Sequence, residues 1–353
     1  MKGTVLIITT PYDAHADRGV VEIARRGHAV LRVHPESIAT EGRFSLRFDQ
    51  ARPSSLFIGN RHADIDDIVG CWYRKPQPIQ VPLSMNIEEA VFAKKELSHA
   101  LNGFLRCLEC TWVSHPAKML EASWKPLQLK VAQSIGMQVP ATYIGNNPEE
   151  IRLFFEGSHG AVVYKTLQSP VIGDVAACFT TLLSAEHLTE IDKICVTAGI
   201  FQELVPKRVD IRVVAIGSQL FGFEIDSQAV PEAVVDWRRT DPRELRHATH
   251  PLPSLLQEQI QRYLKCFDLS YGALDFVHTP DDRYVFLECN PGGQFGWLEA
   301  RTGVPLMSFL VDLLLTRCLA PNDDMPSSSL DYTRVDGHEA DCLGPCHTRG
   351  SKR

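Results

Sequence analysis

The sequence predicts an α/β fold, and three observations carry that reading. Residues 4–9 (TVLIIT) form an apolar run, followed by a helical segment and a second apolar run at 29–33, the pattern of a βαβ unit. Past residue 200 the pattern changes to paired strands, 211–216 with 219–225 and 271–277 with 284–288, each pair joined by a turn-forming segment. Amphipathic helices are spaced between and after these runs. A chain of 353 residues, 44% apolar and 22% charged, has material for two or three compact units. The class is therefore α/β, with α+β character in its second half.

The elements follow in order. A polar loop leads into a helix at 20–26 with Gly27 as its C-cap, and then into the strand 29–33. The GxGxxG fingerprint that seats a dinucleotide is absent from this βαβ opening, which argues against a nicotinamide dehydrogenase. Strands are expected at 44–48 and 66–73, and a long helix from Asn86 to about Cys110 carries Ile87, Ala90, Val91, Leu97, Leu101, Phe104, Leu105 and Leu108 on one stripe. A short helix capped by Ser123 and closed by Gly136 turns Leu127, Val131 and Ile135 inward. Strand 142–144, helix 148–156, strand 161–167, strand 177–183, a helix from Ser184 and strand 200–204 complete a second unit. The hairpins follow, with a helix at 254–267 between them and a last helix at 305–319. The units are read as 1–115, 116–204 and 205–320, and the polar, aperiodic stretch 321–353 as a disordered tail.

Composition excludes some classes of function. Thirty-six Lys and Arg against 43 Asp and Glu give a net charge of −7, which disfavours a wholly electrostatic binder of nucleic acid or membrane. There is no apolar run of about eighteen residues, and the opening MKGTVLIITTPYD does not read as a signal peptide, so a cytoplasmic location is expected. The ten cysteines are dispersed and are expected as thiols. Cys107 and Cys110 form a CxxC within the long helix, without a second Cys/His pair at zinc-finger spacing. The tail cluster Cys342 to His347 reads as part of an unfolded extension.

Three constellations carry chemistry. With an even loop count in the last hairpin, Asp275, Glu288 and Asn290 fall on one sheet face, Asp275 near Glu288 across the ladder. Two carboxylates and an amide with open positions suit Mg²⁺ that keeps water and takes phosphate oxygens, and the loop Asn290-Pro291-Gly292-Gly293-Gln294 lets backbone N–H groups approach an anion. The plainer reading is a solvated strand end. Lys165 lies mid-strand and Lys125 in the first turn of a helix, the unfavourable end for a cation unless an anion is expected there. Each also reads as a surface lysine. The third constellation is Gln202-Glu203-Leu204-Val205 with Asp210 and Arg212. A strand running into a Pro206-bearing segment offers unpaired backbone groups to a base edge, and Glu203 a partner for a ribose or amino group. Arg212 fits either a transferring phosphoryl group or a salt bridge to Asp210.

As a set, in this order, these residues resemble the ATP-grasp fold of carboxylate–amine ligases over 116–319. Trp-Tyr-Arg-Lys-Pro at 72–76, Glu-Ala-Ser-Trp-Lys-Pro-Leu-Gln-Leu at 121–129 and Val-Asp-Trp-Arg-Arg at 235–239 are similar to the MvdD-type peptide maturases, the microviridin ligases and other graspetide synthetases. The resemblance implies an N-terminal, Rossmann-like pre-ATP-grasp unit before the two ATP-grasp lobes. It also implies that Lys125 and Lys165 bind ATP phosphates, that Gln202, Glu203, Leu204 and Val205 hold the nucleoside with Asp210 beside them, and that Asp275, Glu288 and Asn290 hold two Mg²⁺ ions. Arg212 and an arginine of the 238–239 pair, Arg238 foremost, would act with Lys165 on the transferring phosphate. Cys289 departs from the apolar residue many members carry there.

The implied chemistry is activation of an Asp or Glu side chain of a ribosomally made precursor, leader plus core, as an acyl phosphate. A Thr or Ser hydroxyl or a Lys amine then closes the ring. The same resemblance suggests a homodimer without nucleic-acid or membrane partners. The competing readings are a ligase that adds a free amino acid to a protein or small molecule, and an ATP-binding regulatory protein without turnover. Intact lysines, arginine and metal set speak against the last. No Ser-His-Asp set is evident.

Overall fold

The computed structural model describes residues 3–49, 52–168, 171–172, 176–177 and 179–316. The first sheet is parallel, with strand order Ala29–Val33, Thr4–Ile8, Ile68–Tyr73 and Thr111–Val113. Its central strand is covered on both faces, which is why Val5, Leu6, Ile7 and Ile8 are all apolar and fully buried. The helix expected at 20–26 runs from Ala14 to Arg25, because Asp13 caps it by accepting from the backbone N–H groups of His15 and Ala16. Its first turn is mostly polar, so hydrophobic periodicity misses it. The strand expected at 44–48 is Gly42–Ser45, and it joins two short strands the periodicity did not reveal, Ser55–Ile58 and Arg61–Asp64, in an antiparallel sheet. The long helix is Ile87–Arg106, opened by a capping box between Asn86 and Glu89. It stops short of the expected 110, so Cys107 is its C-cap and Cys110 lies outside it; neither is in a disulfide.

A helix the pattern did not reveal, Pro116–Ala122, precedes the one expected after Ser123, which is Lys125–Ser134. Ser123 does not cap the second, since its hydroxyl donates to the Leu120 carbonyl at the end of the first. The inward face is the expected one, with Ile135 buried and Leu127 and Val131 packed on the same core, and it also buries Gln128 and Ala132. Gln128 fills a polar role in the core, donating to the Ala122 and Cys289 carbonyls and accepting from the Cys289 N–H. A second, antiparallel sheet has the order Thr181–Leu182, Val162–Lys165, Gly199–Glu203 and Thr142–Gly145. Helix Pro148–Gly157 packs Ile151 on the face bearing Val162 and Phe201. Strand alternation therefore turns Val163, Lys165 and Gln202 to the opposite face. Part of the strand expected at 177–183 lies outside the described residues.

The third sheet is antiparallel, ordered His247–His250, Gln219–Ile225, Val209–Ile216, Tyr271–His278 and Tyr284–Asn290. Its first hairpin turns at Gly217-Ser218, where Gly217 takes a φ of 57°. One face packs Ile211, Val213, Leu274 and Phe276 against helix Ser254–Cys266. The other face of Val209–Ile216 is divided along its length: Asp210 and Arg212 are polar, Val214 and Ile216 apolar. The apolar half packs on helix Leu306–Leu314, which also packs on Val5, Ile7 and Trp72 of the first sheet. That helix makes one core of two sheets distant in sequence, and residues Met1–Leu319 form one compact unit. The helix expected at 305–319 is Leu306–Leu314, preceded by a helix the pattern did not reveal, Gly296–Thr302, and the expected tail at 321–353 lies outside the described residues. Among the described residues no helix is long and apolar enough to cross a membrane.

Candidate active site

Strand pairing puts Arg212 opposite Asp275 and Asp275 opposite Glu288, one polar rung across three adjacent strands. The last hairpin does not have the even loop expected. His278 pairs with Tyr284, leaving five residues in the loop, 279 to 283. That parity alone would set Leu287 opposite Asp275. A bulge at Leu287 shifts the register so that Glu288 takes the place, and both Leu287 and Glu288 line the cleft. Asn290 pairs with Ala273, one rung along on the same face.

The cleft lies between this face and the face of the second sheet that bears Lys165 and Gln202. Four ion pairs line it. Arg212 Nη1 donates to both oxygens of Asp275, at 2.7 and 2.6 Å. Lys207 Nζ is 3.0 and 3.1 Å from the Asp210 oxygens. Arg238 forks onto Asp236 through Nε and Nη2, both at 2.8 Å, while its Nη1 is 3.9 Å from Glu288. Lys125, at the first position of its helix, bonds Glu288. The salt bridge weighed for Arg212 and Asp210 does not form, because each has another partner.

Lys165 stands apart. Among the described residues it has no carboxylate within ion-pair distance, and its Nζ donates to Gln202 Oε1 at 2.7 Å. Gln202 is held in turn by donating to Thr142 Oγ1 at 3.0 Å. Burial, with Arg238 and Lys125 nearby, lowers the Lys165 ammonium from 10.5 to about 8 against the pull of Glu288. Burial pushes the Glu288 carboxyl up, but Lys125 and Arg238 outweigh it and hold the group below its ordinary range. At Asp275 and Asp210 burial prevails over the adjacent cation and raises both.

A pH dependence follows from Lys165. From about pH 8 upward the folded, unliganded protein loses this proton while the unfolded chain keeps it to about pH 10.4, so its contribution to stability rises with pH across that window. The affinity of a polyphosphate held by Lys165 would move the other way, since the anion would meet a neutral amine. Titration calorimetry with Mg-ADP should show wild-type affinity falling by up to about tenfold per pH unit above about pH 8. Lys165→Arg, charged throughout, should flatten that profile. Parallel profiles for the two proteins would show that Lys165 does not meet the anion.

The remaining expected residues take distinct places. Glu203 is exposed at the strand end, and its backbone N–H donates to the Ala141 carbonyl. The Leu204 N–H is also taken, by the Ala161 carbonyl, so the segment offers fewer free donors than expected. Among the described residues Val205 N–H has no partner. Asn290 Oδ1 accepts from the Gly292 N–H at 3.0 Å, leaving one lone pair for another contact. Arg239 points away, donating to the Thr180 carbonyl, so Arg238 is the member of the pair that faces Glu288.

Two cavities share Lys165, Gln202, Arg238 and Glu288. One of about 80 Å³ reaches Glu203, Leu204, Val205 and Asp210; the other, about 210 Å³, reaches Lys125 and Asn290. Together they run from backbone edges at one end to cations and carboxylates at the other. No group of three His, Cys, Asp or Glu side chains able to hold a metal occurs among the described residues. Two carboxylates and an amide oxygen are a sparse donor set, which fits Mg²⁺ that completes its shell with water and phosphate oxygens.

Three residues of the cleft escaped sequence reading. Asp236 is buried, accepts from the Thr180 N–H and fixes Arg238; the signal was an Asp directly before Trp-Arg-Arg, in N-cap position. Lys207 becomes visible only with its partner Asp210, and Leu287 only with the bulge.

Residues 4–119 match the family model of the MvdD pre-ATP grasp domain. The macrocyclase MdnC of Microcystis aeruginosa MRC, solved with precursor peptide MdnA, is 28% identical with a TM-score of 0.79, covering 89% of this chain and 99% of its own. A RiPP-associated ATP-grasp ligase of Chryseobacterium gregarium, in complex with ADP and a leader and core peptide, is also 28% identical with a TM-score of 0.82, covering 90% and 98%. ATP-grasp ligase PsnB, complexed with minimal precursor, Mg and ADP, is 23% identical with a TM-score of 0.70 over 89% of this chain and 96% of its own, a likeness of fold. No curated protein sequence matches the chain.

Proposed function

We infer that this chain, an ATP-grasp ligase whose N-terminal unit is of the MvdD pre-ATP-grasp kind, is a peptide macrocyclase that consumes ATP. The observation that carries the reading is the rung Arg212–Asp275–Glu288, set in a cleft whose fifth cation, Lys165, bonds among the described residues to an amide and to no carboxylate. The near-full-length likeness to MdnC and the Chryseobacterium ligase supports a precursor peptide, leader plus core, as substrate.

The nucleoside lies along Gln202 to Val205 and beside Asp210, and the phosphates extend toward Lys165 and Lys125. Asp275, Glu288 and Asn290 would hold Mg²⁺, two ions in our reading, which would supply charge neutralisation on the phosphates. A side-chain carboxylate oxygen of the peptide attacks the γ-phosphorus, and the β–γ bridging oxygen leaves with ADP. Arg212, Arg238 and Lys165 neutralise the transferring group through donors fixed before the reaction. A Thr or Ser hydroxyl, or a Lys amine, then attacks the acyl phosphate carbon. Phosphate leaves, the nucleophile gives up its proton, and each ring removes one water from the peptide. No covalent help from the protein is needed.

We further read 1–115, 116–204 and 205–320 as the three functional units and the chain as a cytoplasmic homodimer. Exposed Ile87, Val91 and Phe92 on one helix support an apolar contact between copies. The ligase reading is tested by incubating the protein with Mg-ATP and the peptide encoded beside its gene. Mass spectrometry should show the loss of one water per ring, matched by ADP. An unchanged peptide, with ATP consumed only when free amino acids are supplied, would establish the amino-acid ligase instead.

A further inference from the structure

Behind Asn290, on the side away from Lys165, lies a cleft of about 850 Å³ between helices Ile87–Arg106 and Pro116–Ala122. That volume lies within the roughly 300–1,000 Å³ typical of pockets that enclose a drug-sized ligand. Its charged lining has one sign: Arg74, Lys75 and Arg106, joined by His99, with no Asp or Glu along the wall. In a chain of net charge −7 this is a local reversal. Arg74 is already committed. It is buried, donates to Asp13 at 2.6 and 3.2 Å and stacks 4.8 Å over Trp72. Lys75 and Arg106 are exposed, and among the described residues neither has an ion-pair partner. Burial, and then the Arg74 charge, lowers the Lys75 ammonium, which an anion nearby would relieve.

The position is as telling as the charge. Asn290 lines both this cleft and the 210 Å³ cavity that holds Lys125, Lys165 and Glu288. A chain lying in the cleft could therefore pass a side chain around Asn290 toward the phosphate-binding residues. The Gly292 turn keeps that passage narrow, since a Cβ there would stand 3.2 Å from Met119 Cε. Met119 and the exposed Leu120 supply apolar floor for methylene and methyl groups.

We propose that this cleft receives the acidic segment of the peptide, with Lys75 and Arg106 holding neighbouring carboxylates while one of them is presented past Asn290. The inference rests on the ligase reading for the identity of its occupant. It is tested on the full chain with Mg-ADP present, by fluorescence anisotropy at low salt. The probe is a fluorescein-labelled peptide of alternating Thr and Glu, compared with its Gln counterpart. The wild type should prefer the Glu peptide by about tenfold or more, and Lys75→Glu with Arg106→Glu should erase the preference while Mg-ADP affinity stays unchanged. Lys75→Gln with Arg106→Gln should reduce it without reversing the charge. A preference that survives both double variants, or no preference in the wild type, overturns the proposal. A wild type that shows the preference, loses it in the variants, yet never cyclises a precursor supports the cleft and overturns the ligase reading.

Discussion

Glu288→Gln should lower ATP turnover by roughly three orders of magnitude and leave the fold standing. The side chain keeps its size and one acceptor oxygen, so packing beside Leu287 is preserved. What it loses is the charge at the end of the rung, where a carboxylate would hold Mg²⁺ against the phosphates; removing a single preorganised electrostatic group from such a site costs about 10²–10³-fold, and loss of a metal ligand adds to it. The Glu288–Lys125 pair is partly solvated, at 26% and 21% side-chain exposure, so breaking it costs little stability. Asp275→Ala differs in kind. Arg212 is 9% exposed at its side chain and would be left as a buried cation without its partner, a loss of about 3–5 kcal/mol. ADP release in a coupled assay, read beside the melting temperature, separates the two. Turnover of Glu288→Gln within tenfold of the wild type would move the metal site elsewhere.

The site was more legible than the fold around it, for reasons visible in particular residues. Strand alternation is a strict period of two, so Asp275, Glu288 and Asn290 could be set on one face from sequence. That inference assumed an even loop; the loop is odd, and the bulge at Leu287 compensates, which no periodicity reveals. Asp210 and Arg212 were also placed on one face, but their partners, Lys207 and Asp275, depend on which strands become neighbours. Helix faces fared worse where a core position is polar. Gln128 is buried because its amide satisfies three backbone groups, so a hydrophobic pattern finds Leu127, Val131 and Ile135 on this face but passes Gln128 over. Strands Ser55–Ile58 and Arg61–Asp64 are short and partly exposed, and their alternation is too brief to stand out from a loop.

Arg212→Lys separates charge from geometry. The guanidinium places Nη1 on both Asp275 oxygens, its Nε has no hydrogen-bond partner, and Nη2 lies 3.4 Å from where a Cβ on Gly293 would stand. Gly293 has no space for a side chain, since that Cβ would also come within 2.5 Å of Ala273, so the loop and the fork are packed together. A lysine can replace Nη1 and keep Asp275 neutralised, which preserves the fold. It cannot hold Asp275 and also offer the fixed, planar second donor that a transferring phosphoryl group would meet. The loss should therefore fall on the transition state. We expect kcat to drop by about 10²–10³-fold while KM for ATP changes by less than about threefold, because on the proposed assignment Lys125 and Lys165 would still hold the nucleotide. A purely structural role would instead lower the melting temperature and leave kcat per folded molecule unchanged, so calorimetry with active-site titration distinguishes the cases. If kcat stays within tenfold of the wild type, Arg212 serves only to neutralise Asp275, and Arg238, already within 3.9 Å of Glu288, becomes the arginine that acts on the phosphate.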